Sequence, residues 1–560
     1  MDISRLSAGD ALPHGDIYGV SVHLPRWADT VAWAERDPKL LLKLKTGYPR
    51  FFIPRVVLQL GSRILEEAAS SSIQIHSGSA WSDAQTVVSG DSLAVSSSVL
   101  LLSSLTAARM CHQFLSRNDS QYGPILRIRF PGVIHIVGDA DVETDHIVPT
   151  SDIYAVTYAE GSIDEAKAFW QHTGFGITSR CAVYWLQHAF QLQPELPCRE
   201  LPSKLPLKEA GCAYTALQSR IASQMSTKQV EVLSRDVILF PTGMSAITNI
   251  ALGVRSMQEK KLRVGHVAVF GFLYVDTFKT LSRIHDFKCT LYGHASSSDL
   301  DKLIADLNRG LTIDALYTEF PGNPLLVAPD LKELHRLSLE HDFVLIVDDT
   351  VVTAINASLF PYCDIICTSL TKMFSGACNV MGGSVTLNPQ SRWYTALHGH
   401  LIKQPKEPYF PLDILVMEQN SRDFSSRVEC ANQNAEIIVQ QLKQHDSVSE
   451  VFYPKESVSK ALYDELRRPD GRYGFLLSIL FVSPAAAIAF HDALDVAKGP
   501  SLGTNFTLAC PYTLLAHYRE LEWAAKFGVV EHLVRISVGV ESTAYLEEVV
   551  AKALEAAASV

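Results

Sequence analysis

Residues Cys363 to Ser384, CDIICTSLTKMFSGACNVMGGS, join an apolar, strand-like run to small hydroxyl residues, one lysine and a glycine-rich turn. A lysine beside hydroxyls at the mouth of a buried strand has the arrangement needed to form a Schiff base with pyridoxal phosphate. Lys372 would supply the amine, while Ser369 and Thr371 hydrogen-bond the phosphate. Taken alone, a lysine after a strand is more often a solvated surface residue.

Three upstream segments supply the other groups such a cofactor needs. In DVILFPTGMSAITNIALGV, a strand over Val237 to Phe240 breaks at Pro241 and Gly243. A helix follows, with apolar residues at Ile247, Ile250, Ala251 and Val254. The free amides of Gly243, Met244 and Ser245 at that helix start could cradle a phosphate, although an ordinary strand-to-helix turn would read the same way. HDFVLIVDDT is a continuous apolar run of the kind buried on both faces of a parallel sheet, ending in two acids. Ligands of open α/β sheets bind beyond the carboxyl ends of the strands, which places Asp348 to pair with a pyridinium nitrogen. The alternative is that Asp348 or Asp349 caps the next element. In ALYTEFPGNPLL, Asn323 follows another strand end and could reach cofactor or substrate carboxylate.

The order FPTGMSA, YTEFPGNPLL, VDDT, TSLTKMFSG and VRISVGVE resembles the Cys/Met-metabolism family of pyridoxal-phosphate enzymes, fold type I, and within it the fungal cystathionine γ-synthases. GYPRFFIP, WQHTGFGITSR, PYFPLD with NSRDF, and GPSLGTNFTLACPYTLLAHY extend the resemblance over most of the chain. It implies Lys372 as the cofactor-bonding lysine, Asp348 as partner of the pyridine nitrogen, and Gly243, Met244, Ser369 and Thr371 as the phosphate site. It implies Tyr274 of FGFLYVDT stacked on the cofactor ring, where a plain core tyrosine is the alternative. Arg535 would grip the substrate α-carboxylate, assisted by Ser501 of GPSLGT. Arg180 would cross to the neighbouring subunit's phosphate, with Thr178 standing where relatives carry a tyrosine.

The implied reaction is γ-substitution on an O-acyl-L-homoserine, with L-cysteine as the default nucleophile and cystathionine as product. One departure keeps the nucleophile open. The stretch GFGITSRCA carries Phe175 and Cys181 where the fungal synthases carry polar or charged residues. Less charge at the substrate entrance would favour a carbon nucleophile, a β-keto acid enolate, as in relatives from fungal secondary metabolism. A non-catalytic, regulatory family member would have lost the lysine or the aspartate, and both are present.

Composition agrees with an enzyme of this class. At 560 residues, 47% hydrophobic and 19% charged, the chain can bury more than one core. A net charge of −11 argues against nucleic acid or an anionic membrane as partner. Ten cysteines without paired or metal-like spacing are expected as reduced thiols, with no metal site. Residues 1 to 20 carry acids, prolines and glycines where a secretory signal would need a basic start and an apolar run, so a cytoplasmic protein is expected. A homodimer or homotetramer is the expected assembly.

Three zones separate along the chain. Residues 1–160 form an amino-terminal extension with no recognisable chemistry: a helical VVLQLGSRILEEAA, strand-like ILRIRF and VIHIV, and SLAVSSSVLLLSSLTAA, which reads as a buried helix. Residues 161–404 contain an amino-terminal arm and then strands near 237, 267, 314, 343, 364 and 383 that alternate with helices. This rhythm predicts a mainly parallel sheet in an α/β fold. The proline-rich KQPKEPYFPLD marks a boundary before residues 405–560, a long helix from near Asp423 and a smaller α+β zone containing YGFLLSILFV and LVRISVGV.

Overall fold

Alternation along the central strands builds the large sheet. Ile238, Val267, Val269, Ile346 and Ile365 turn into one buried cluster, while their neighbours Val237, Ala268, Leu345, Val347 and Ile366 turn into another on the opposite face. Both faces are therefore covered, as the unbroken apolar runs require. The computed structural model describes residues 5–48, 51–70, 98–118, 120–138, 141, 152–257, 264–403 and 408–560.

The sheet has seven strands, in the spatial order Val237–Phe240, Gly383–Leu387, Ile365–Thr368, Val344–Asp348, Ala315–Glu319, His266–Phe270 and Lys288–Tyr292. All neighbouring pairs are parallel except those made by Gly383–Leu387, which is antiparallel to both its neighbours. The other six strands thus present their carboxyl ends along one edge. Register places Glu319 directly beside Asp348 there. The edge strand Lys288–Tyr292 carries no strong sequence signal, because it is half-exposed and lacks the buried run of its neighbours.

A second sheet has the order Val448–Phe452, Leu476–Phe481, Val534–Ser537, Leu508–Pro511 and Ala497–Lys498, and is antiparallel apart from its last pair. Val534 and Ile536 pack into a cluster with the helices Phe424–Lys443, Pro484–Ala493 and Thr543–Ala558. Arg535 alternates to the other face. The long helix starts where the sequence placed it, with Asp423 at its N-cap.

The amino-terminal region forms a four-stranded antiparallel sheet in the order Ser98–Leu102, Asp152–Tyr158, Tyr122–Arg129 and Val133–Ile136. Helices Arg55–Ser70, Leu105–Arg117, Ile163–Thr173 and Ser179–His188 accompany it. The serine-rich run is not one helix. Residues 92–97 lie outside the described residues, Ser98–Leu102 is a strand, and Leu105–Arg117 is a helix that begins after Ser104, whose hydroxyl accepts the Ala107 amide. A leucine–valine run paired along a strand outweighs its helical propensity, and a capping serine supplies the break. Of the other stretches read above, Pro49 and Arg50 of GYPRFFIP and residues 404–407 of the proline-rich boundary also lie outside the described residues. All ten cysteines are free thiols. Among the described residues, no helix is long and apolar enough to cross a membrane, and no cluster of side chains could hold a metal ion.

Candidate active site

The carboxyl edge of the large sheet and the Arg535 face of the Val534–Ser537 strand meet over one cavity. Gly243, Met244, Tyr274, Asn323, Asp348, Ser369, Lys372, Ser501 and Arg535 all line it, although they span nearly 300 positions of sequence. Of the candidate residues named in the sequence, Phe175, Thr178, Arg180, Cys181, Ser245, Asp349 and Thr371 do not line it.

Lys372 is buried, and its Nζ donates to Tyr48 Oη at 2.8 Å and Ser501 Oγ at 3.0 Å, with the Tyr48 ring centroid 4.3 Å away. Ser501 holds a second cation as well, because its carbonyl accepts from Arg535 Nη2 at 2.7 Å. To do both, Ser501 adopts a φ of 105°, a conformation that non-glycine residues rarely sustain unless their surroundings impose it. Arg535 Nη1 donates to Asn323 Oδ1 at 3.0 Å, and its guanidinium lies 4.6 Å from the centroid of Tyr512. Backbone carbonyl, side-chain amide and aromatic face fix the guanidinium plane without neutralising its charge, which leaves it suited to a carboxylate ligand. Gly503 is required beside this arrangement, since a Cβ there would lie 2.5 Å from the Met373 amide nitrogen.

The acids sit opposite the cations. Asp348 ends its strand and lines the cavity, and its Oδ1 accepts the Thr350 amide at 2.8 Å. Asp349 is turned away from the cavity and buried, with Thr368 Oγ1 donating to it at 2.5 Å; burial first, and the neighbouring Asp348 with it, raise its carboxyl to about 7. Glu319, beside Asp348, accepts the amides of Tyr274 at 2.6 Å and Asn323 at 3.1 Å. Burial, and then the charge of Asp348, push its carboxyl up to about 8, so near neutrality Glu319 retains its proton beside an acidic neighbour.

The helix Gly243–Ser256 begins at the same edge. Thr242 caps it by accepting the Ser245 amide at 2.9 Å, and the preceding amides of Gly243 and Met244 have no acceptor within the helix. A Cβ on Gly243 would lie 2.8 Å from Ser369 Cβ, so glycine keeps the space between helix start and hydroxyl open. An amine, a strand-end carboxylate, a serine hydroxyl and an open helix N-terminus around one cavity fit pyridoxal phosphate: Lys372 for the aldehyde, Asp348 for the pyridine nitrogen, and Gly243, Met244 and Ser369 for the phosphate. Thr371 lies behind this set, its hydroxyl donating to the Gly382 carbonyl at 3.2 Å.

Two groups of residues singled out in the sequence lie outside this cavity. Arg180 is buried in an ion pair with Asp413, donates to the Asn379 carbonyl at 3.1 Å and stacks over Tyr18 at 4.1 Å. Thr178 Oγ1 donates to the other oxygen of Asp413 at 2.6 Å, so within one protomer ITSR is an ion-pair anchor, and its arginine does not line the cavity of its own chain. Phe175 packs in the amino-terminal core, 6.2 Å from Phe169 between ring centroids, and Cys181 is buried in the neighbouring cluster. Neither lines the cavity of its own chain.

Sequence reading also missed residues of the site. Tyr48 and Phe51, from a zone without recognisable chemistry, line the cavity, as do Glu319, Thr350 and Tyr512. The aromatic GYPRFFIP was visible, but nothing local ties it to a lysine 324 positions away.

A mainly parallel sheet presenting this amine, carboxylate and helix start defines a fold type I pyridoxal-phosphate enzyme. The chain belongs to the Cys/Met metabolism PLP-dependent enzyme family, whose model matches residues 208–555, and residues 82–178 match the N-terminal domain of fungal trans-sulfuration enzymes. It is 34% identical to a cystathionine gamma-synthase of Neurospora crassa, over 98% of both chains. It is also 34% identical to a cystathionine gamma-synthase-like enzyme of Amanita muscaria, over 99% of this chain and 97% of that one. In fold it is similar to the crystal structure of cystathionine gamma synthase from Xanthomonas oryzae, with a TM-score of 0.54 and 21% identity over 63% of this chain and 88% of that one.

Two outcomes follow from this geometry. Arg180→Met strands the buried Asp413 carboxylate and should cost about 3–5 kcal/mol in unfolding free energy, read by denaturant unfolding. Titration of Glu319 makes wild type lose stability as pH rises from about 5 to 8, because the folded protein retains a proton that the unfolded chain releases. Glu319→Gln should therefore gain relative to wild type over that window, read as melting temperature of the apoproteins against pH.

Proposed function

We propose that this enzyme catalyses γ-substitution on an O-acyl-L-homoserine, with L-cysteine as the default nucleophile and cystathionine as product. The observation that carries the reading is the joint hold of Ser501 on Lys372 and Arg535, which keeps a base and a carboxylate receptor in fixed relation. When bound, pyridoxal phosphate supplies the electron sink that lets Cα–H, Cβ–H and the γ-substituent be cleaved in turn. Arg535, braced by Asn323 and Tyr512, receives the α-carboxylate and orients Cα toward Lys372. The Lys372 amine then moves the protons at Cα and Cβ, and the hydroxyls of Tyr48 and Ser501 hold it within reach.

A carbon nucleophile is a second reading, and a feature of the cavity favours it. Tyr48, Phe51, Leu515 and Ala516 form a largely apolar wall, and Lys372 and Arg535 are the sole cations among the described lining residues. With Arg535 engaged by the first substrate, no further cation on this wall recognises the carboxylate of an incoming zwitterion. A less polar, enolate-forming partner would lose little there.

Lys372→Ala should abolish turnover, and borohydride reduction of wild-type holoenzyme should fix the cofactor to the peptide carrying Lys372; attachment at another lysine would reject the site. For the nucleophile, O-acetyl-homoserine is supplied with equal cysteine and acetoacetate and the product masses are read. Predominant cystathionine supports the first reading, and a predominant carbon–carbon product supports the second.

A further inference from the structure

The end of helix Ile163–Thr173 is fastened to the catalytic layer by a run of contacts that the proposed reaction does not use. Three consecutive carbonyls at this terminus, where a helix leaves its acceptors unsatisfied, are each taken by a threonine hydroxyl. Thr280 donates to His172 O, Thr248 to Thr173 O at 3.0 Å, and Thr242 to Gly174 O at 3.0 Å. Two of the donors belong to the helix start that forms the phosphate cradle: Thr242 is its N-cap and Thr248 lies on its second turn.

The His172 side chain continues the connection inward. Its Nδ1 lies 2.8 Å from Asp276 Oδ1, which also accepts from Gln171 Nε2 at 3.2 Å. The other oxygen of Asp276, Oδ2, accepts from Tyr274 Oη at 2.7 Å. Asp276 is fully buried and His172 nearly so, while Tyr274 lines the cofactor cavity. The path from helix end to cavity is thus three side chains long, and each link is a hydrogen bond of good length. A tyrosine ring has two torsions, so fixing its hydroxyl as well as its backbone, which Glu319 holds through the amide, leaves the ring one orientation.

We propose that His172 is a positioning residue for the reaction: acting through Asp276, it fixes the hydroxyl, and with it the ring, of Tyr274 at the cofactor cavity. The helix-bearing amino-terminal layer is on this account part of the active-site scaffold. The proposal rests on Tyr274 flanking the bound cofactor.

The test compares wild type with His172→Leu, His172→Asn, Tyr274→Phe and the double variant His172→Leu/Tyr274→Phe. It reads the affinity of apoprotein for pyridoxal phosphate and the visible circular dichroism of the bound cofactor. His172→Leu should weaken cofactor binding about tenfold, the effect of losing one hydrogen bond to a buried carboxylate, and should change the dichroic band. His172→Asn, whose amide replaces the Nδ1 donor, should recover both. In the Tyr274→Phe background, where the hydroxyl is gone, His172→Leu should add nothing further. Equal effects of His172→Leu in the two backgrounds, or an unchanged affinity and band, would overturn the proposal. Should His172→Leu fail to fold, His172→Gln in the same two backgrounds, with its donor displaced from the Nδ1 position, is read against the same criterion. Tyr274→Leu checks the premise separately: an unaltered band there would remove Tyr274 from the cofactor's surroundings and the proposal with it.

Discussion

Two buried cations have to share one cavity, and the site is organised around that requirement. Lys372 lies in the turn after a strand of the large sheet and Arg535 in a strand of the second sheet, and Ser501 receives both, one on its hydroxyl and one on its carbonyl. A single residue can offer both acceptors in these directions only with an unusual backbone, and the positive φ of Ser501 is the conformational cost. The close approach of Gly503 to Met373 belongs to the same packing, since any side chain there would push the Ser501 loop off the lysine.

Electrostatic balance follows from the same requirement. Charges removed from water must be compensated by partners or by a change of protonation. The strand-end acids Glu319 and Asp348 stand side by side through parallel register, and full ionisation of both would oppose burial. Glu319 eases the conflict by holding its proton to about pH 8 beside Asp348 at the cavity edge. While protonated, Glu319 still accepts the amides of Tyr274 and Asn323, so the carboxyl that yields its charge keeps a structural task.

The amino-terminal region, opaque in sequence, participates in the site. Tyr48 reaches Lys372, Phe51 supplies part of the apolar wall, and the helix ending at Thr173 is pinned by threonines of the catalytic layer. The ITSR segment joins the layers differently, through the Arg180–Asp413 pair and the Thr178 hydroxyl. Its arginine could be found in the sequence, but its partner, 233 positions away, could not.

Local chemistry determined what the sequence made legible. The strands near 237, 267, 315, 344, 365 and 383 announce themselves because both faces are buried, and Lys372, Asp348 and Gly243 fall at their ends, where chain order alone locates ligand groups. The edge strand Lys288–Tyr292 and the strand within the serine-rich run escaped notice, since half-exposed or short apolar segments take their conformation from neighbours. Tertiary structure alone decided that Tyr48 and Phe51 enter the cavity while Phe175, Cys181 and Arg180 stay out of it. Those placements depend on which layers meet, and a motif specifies the direction of its own backbone but not the surface against which it will pack.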